Sequence, residues 1–97
     1  MADQALTAAM SQDDSLFGFP SAFPIKVMGE RSEGFVDAVV AIAREFDPGF
    51  DAATVQTRHS SGGRYLGVTI TITATSRKQL DALYRALSAH PLVKVVL

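Results

Sequence analysis

The 97-residue chain has no cysteine, no tryptophan and no asparagine. Without cysteine there is no disulfide framework, no thiolate metal site and no thiol nucleophile, a composition that suits a reducing compartment. Charge of either sign is not in excess: nine basic residues face ten acidic ones, for a formal charge of -1. The field of the whole protein therefore gives no reason to expect nucleic acid or an anionic membrane as partner. The stretch Met1–Ser15 carries Asp3, Asp13 and Asp14, with neither a basic n-region nor a sustained apolar run, so no signal peptide or transmembrane helix is expected there. The expectation is a soluble, cytoplasmic chain, long enough for one domain with one modest core.

Chemistry-bearing residues are equally sparse. The only two histidines, His59 and His90, have no partner at metal-ligand spacing. Serines lie near them, but no motif brings serine, histidine and carboxylate together. The expectation is no enzyme, no metal and no cofactor.

What is present is a strand. In Tyr65–Ala74 the residues Leu66, Val68, Ile70, Ile72 and Ala74 alternate with Tyr65, Gly67, Thr69, Thr71 and Thr73, the period of two that marks one covered and one open side. Met1–Ser15 reads as a disordered tail and residues 16–97 as a single domain. Leu16–Ser21 is an irregular lead-in whose Phe17 or Phe19 packs on a core edge. A first strand is predicted over Phe23–Met28, with Phe23, Ile25 and Val27 on one face and Pro24, Lys26 and Met28 on the other. Gly29–Gly34 forms a turn, and Phe35, Val39, Ile42 and Phe46 recur at helical spacing, with Ser32 as N-cap and Asp47-Pro48-Gly49 as stop.

Thr54–Ser60 reads as a polar edge strand, and Ser60-Ser61-Gly62-Gly63 as the hairpin leading into Tyr65–Ala74. Ser76-Arg77-Lys78-Gln79 has capping-box form ahead of Leu80, Leu83, Tyr84 and Leu87. Burying those three leucines stabilises the fold by roughly 5–9 kcal/mol before ordering entropy is charged. Leu92–Leu97 is the last strand, with Val93, Val95 and Leu97 alternating against Lys94 and Val96. The order β-α-β-β-α-β is the ferredoxin-like, split βαβ plan: an α+β sandwich with two helices on one face of a four-stranded antiparallel sheet, spatial order 4-1-3-2.

Phe23-Pro24-Ile25-Lys26-Val27-Met28-Gly29, Ser60–Tyr65 leading into Val68–Ala74, and the terminal Val93–Leu97 together resemble the small bacterial YbeD-like family. The resemblance covers roughly Phe17–Leu97. It implies a ferredoxin-like domain similar to the ACT regulatory domains, in a family whose members are sometimes labelled lipoate regulators. ACT domains hold a small effector, often an amino acid, near the turn after the first strand, which here points to Gly29, Glu30, Arg31 and Gly34. The usual acidic residue before a Pro-Gly pair has no counterpart in Arg31-Ser32-Glu33-Gly34. Amides at such a helix start can also bind a carboxylate or phosphate, with Arg31 adding a charge-assisted bond; a plain strand-to-helix turn is the competing reading.

Composition weighs against two related chemistries. Ferredoxin-like acylphosphatases pair an arginine in the first turn, which Arg31 could mimic, with an asparagine that this chain lacks. An RNA-recognition sheet needs stacking aromatics on its open face, where only Tyr65 is available. The open face, with Lys26, Met28, Tyr65, Thr69, Thr71, Thr73, Lys94 and Val96, is the candidate interaction surface, either plain solvent side or contact with a protein partner or second copy. The functional expectation is a non-catalytic regulatory or protein-interaction module. An ACT-like sensor of a small anion is the alternative, and RNA binding the lesser one.

Overall fold

The computed structural model describes residues 18–97. The tail expected over residues 1–15 and the packing expected of Phe17 fall outside the described residues. The elements are β1 (Ser21–Glu30), α1 (Phe35–Phe46), a single 3-10 turn (Ala52–Thr54), β2 (Gln56–His59), β3 (Tyr65–Ala74), α2 (Arg77–Ala89) and β4 (Val95–Val96). The sheet is wholly antiparallel in the order β2-β3-β1-β4, the ferredoxin-like α+β fold.

The ten-residue ladder between β1 and β3 is the spine of the molecule, running from Ser21↔Ala74 to Glu30↔Tyr65. Side chains alternate along both strands, so Ile25 and Val27 share one face with Leu66, Val68, Ile70, Ile72 and Ala74, all of them buried. The helices cover that face with Phe35, Val39 and Ala43 from α1 and Leu80, Leu83 and Leu87 from α2. Phe19 packs on the edge of this core.

The two helix starts are built differently. Ser76 caps α2 as its sequence suggests, its Oγ accepting from the Gln79 N–H at 3.0 Å. Gln79 reaches past the cap residue: its Oε1 accepts from the Thr75 N–H at 2.7 Å and its Nε2 donates to the Phe46 carbonyl at 2.9 Å, tying α2 to the end of α1. The start of α1 departs from expectation. Its N-cap is Gly34 at φ 88, with no side-chain cap, and Ser32 contributes only its carbonyl, which accepts from the Phe35 N–H at 3.3 Å. A left-handed residue is needed to swing the chain from β1 into the helix, and glycine adopts that conformation without steric cost.

Asp47 is the one buried charged side chain among the described residues. Its Oδ1 accepts from the Gly49 N–H at 3.2 Å and its Oδ2 from the Thr73 N–H at 2.9 Å. The residue that stops α1 thus also pins the helix end to the end of β3.

Three strands differ in extent from expectation. β1 starts two residues earlier, at Ser21, and runs on through Gly29 and Glu30, because its ladder with β3 continues from Ser21↔Ala74 to Glu30↔Tyr65. β2 starts later than expected because Asp51 closes the 3-10 turn, its Oδ1 accepting from the Ala53 N–H at 2.9 Å. β4 shrinks to two paired residues, since the Val93 N–H donates to the His90 carbonyl in a turn at 3.0 Å.

Candidate functional site

The helices leave the other face of the sheet uncovered, and the register fixes what it displays. Arg58, Gly67, Met28 and Val95 form one cross-strand row. The next runs Gln56, Thr69 and Lys26, joined to Leu97 by hydrogen bonds of 2.8 and 3.4 Å between the Lys26 and Leu97 backbones. Thr71 pairs with Pro24, Thr73 with Ala22, and Tyr65 with Glu30.

This face is not uniformly polar. Tyr65, Val95 and Leu97 are the large hydrophobic side chains left exposed among the described residues, at 38%, 46% and 65%, and the ladder puts all three on the open side. The Arg64 guanidinium lies over the Tyr65 ring, 5.4 Å from its centroid.

Here the expected parity of the last strand is inverted. Val96 pairs with Val27 and packs against the core, whereas Val95 pairs with Met28 and faces outward. Lys94 is exposed and its N–H donates to the Met28 carbonyl at 2.7 Å. In Val93-Lys94-Val95-Val96-Leu97 apolar residues occupy both parities, so only the neighbouring strand can decide which faces in.

Beside the apolar strip, on the β2 side, lies a depression of ≈ 410 Å³. Lys26 and Arg58 stand at its walls with Gln56, Thr69 and Met28, Gly67 forms its floor, and no acidic side chain lines it. Two cations, an amide and several hydroxyls lining one concavity suit a carboxylate or another oxyanion. Lys26, Met28 and Thr69 are candidates readable from the sequence. Gln56, Arg58, Val95 and Leu97 join them only through strand pairing. Gly67 lies on the open side by the same alternation and breaks the threonine side of the central strand.

The turn candidates are dispersed. Gly29 faces the helices, where a Cβ would strike the Leu92 carbonyl oxygen and stand 2.9 Å from Phe35 Cε1. Glu30, the next residue, points to the open face beside Tyr65. Arg31 and Gly34 are exposed, and the Arg31 N–H donates to the Arg64 carbonyl at 2.8 Å, so the turn is tethered to the β2–β3 hairpin. Two of the four residues therefore belong to a strand, on opposite faces. Among the described residues no three His, Cys, Asp or Glu side chains are grouped to hold a metal ion, and no helix is long and apolar enough to cross a membrane.

Residues 14–97 match a family profile described as "Protein of unknown function (DUF493)". A UPF0250 protein of Leptothrix cholodnii is 60% identical over 86 residues, covering 89% of this chain and 94% of its own. Another from Ralstonia nicotianae is 53% identical over 97 residues, the full length of both chains. A third from Bordetella pertussis is 54% identical over 85 residues, or 88% and 93% of the two chains. The chain belongs to the DUF493 (UPF0250) family of small bacterial proteins, the YbeD-like family its strands resemble.

Proposed function

We propose that this protein is a non-catalytic interaction module that docks a protein partner on the open face of its sheet. The observation that carries the reading is the confinement of the exposed large hydrophobics Tyr65, Val95 and Leu97 to that one face. Apolar side chains scattered singly over a surface need no explanation, but a group of them on the side of the sheet that neither described helix covers favours a contact surface. Half-buried Met28, Thr69 and Thr71 extend it with groups of mixed polarity, the composition of a transient rather than an obligate interface.

The test is affinity capture from the native bacterial lysate, run in parallel with three forms of the protein. A partner that uses this face is retained by wild type and by the helix-surface variant Arg85→Glu, and lost by the double variant Val95→Lys/Leu97→Lys. Retention indifferent to the double variant would refute the reading.

A further inference from the structure

Gly67 is the third residue of β3, inside the ten-residue ladder with β1, where glycine is disfavoured because it loses the most backbone freedom and packs no side chain. Nothing in the fold requires it. A Cβ at this position would meet only the Arg58 carbonyl oxygen, at 3.6 Å, which is ordinary van der Waals contact, and no left-handed backbone angle demands glycine there. Gly29 in the neighbouring strand is the opposite case, held to glycine by the Leu92 carbonyl and the Phe35 ring. What the missing side chain at Gly67 does provide is the floor of the ≈ 410 Å³ depression, between Arg58 on one side and Met28 on the other in the same row.

We propose that this depression is a recognition site for an acidic side chain carried on an apolar peptide segment, with Lys26 and Arg58 taking the carboxylate and Met28, Val95 and Leu97 taking the apolar neighbours. The proposal rests on the reading of the open face as a docking surface and names the partner's chemistry. Charge complementarity selects the occupant: two cations and no acid line the depression, in a chain whose formal charge is -1. The local sign is thus set by placement rather than by an overall basic composition. Geometry adds that a partner chain crossing the row from Arg58 to Val95 meets cation, open floor, thioether and isopropyl group in succession. That order asks for an acidic residue followed by apolar ones. Arginine can grip a carboxylate through two parallel N–H donors, and the Gln56 amide and Thr69 hydroxyl are placed to complete its hydrogen bonding.

The experiment selects a phage-displayed library of random dodecapeptides on the immobilised full chain, then titrates the enriched peptide against labelled protein by NMR. The expected result is enrichment of sequences with Asp or Glu next to Leu, Ile or Phe, shifting the amides of Lys26, Arg58, Gly67 and Thr69. Binding should weaken at least tenfold in Gly67→Thr, which fills the floor, and in Arg58→Glu, which reverses a wall charge, while both keep the wild-type circular dichroism melt. Because Arg58 is exposed, the second variant stays informative if the first fails to fold. Basic or neutral peptides mapping to the same face would overturn the acidic assignment while leaving the face as a docking surface. Failure to enrich any peptide, together with unchanged partner capture by the Val95→Lys/Leu97→Lys variant, would overturn both. Saturation of the same shifts by free glutamate at the peptide's own concentration would assign a small-anion site and overturn the peptide.

Discussion

Gly29→Ala and Gly67→Ala make the same chemical change one row apart in the same ladder and should have opposite effects. At Gly29 the new methyl collides with the Leu92 carbonyl oxygen and stands 2.9 and 3.0 Å from Phe35 Cε1 and Cζ, where carbon atoms prefer about 3.5–4.0 Å. Neither neighbour can yield easily. Phe35 is fully buried, and the Leu92 oxygen is main chain in the turn that delivers β4. Overpacking of this kind costs about 1–3 kcal/mol or more, against a gain of about 0.4–1 kcal/mol from the stiffer unfolded chain. A net loss of about 2 kcal/mol lowers the melting temperature by roughly 10 °C in a domain of this size. The strain is relieved most readily by pushing the Leu92 turn away, so β4, which is only two residues long, should loosen first. Gly67→Ala meets nothing closer than 3.6 Å and should be neutral or stabilising by about 0.5 kcal/mol. Urea and thermal melts followed by far-ultraviolet circular dichroism measure both, and hydrogen exchange at the Val95 and Leu97 amides reports on β4. A Gly29→Ala protein that melts with wild type, or equal destabilisation by the two alanines, would refute the packing argument.

The register makes a second contrast. Ile70→Lys places an unpaired charge in the core and should abolish the cooperative melt, whereas Thr71→Lys extends from the open face and should leave the fold intact. Asp47→Ala removes the acceptor of the Thr73 and Gly49 amides and is expected to cost about 1–3 kcal/mol in urea denaturation. Asp47→Asn, which keeps one carbonyl oxygen, should fall between that variant and wild type.

The order of elements was legible because each carries its own period: two in Tyr65–Ala74, close to 3.6 in Phe35–Phe46 and in Leu80–Leu87. The cap at Ser76 was readable for the same reason, being a contact between residues three apart. Ser32 misleads because the turn before α1 is shaped by the Arg31–Arg64 backbone bond and the left-handed Gly34, one a long-range contact and the other a conformation. The role of Asp47 at Thr73 was equally hidden, since 26 residues separate the two.

The site divides along the same line. Lys26, Met28 and the threonines of β3 could be assigned to an open face from alternation alone, because period two needs no knowledge of neighbours. Arg58, Gly67 and Val95 could not be joined to Met28 without the ladder, since each comes from a different strand and only cross-strand pairing aligns them in a row. Sequence by itself determined the fold and the existence of an uncovered face, because both follow from local periodicity and connection length. Tertiary structure alone decided which way Val95 and Val96 point and which glycine is steric necessity. Those depend on register and on atoms distant in the chain, such as the Leu92 carbonyl against Gly29.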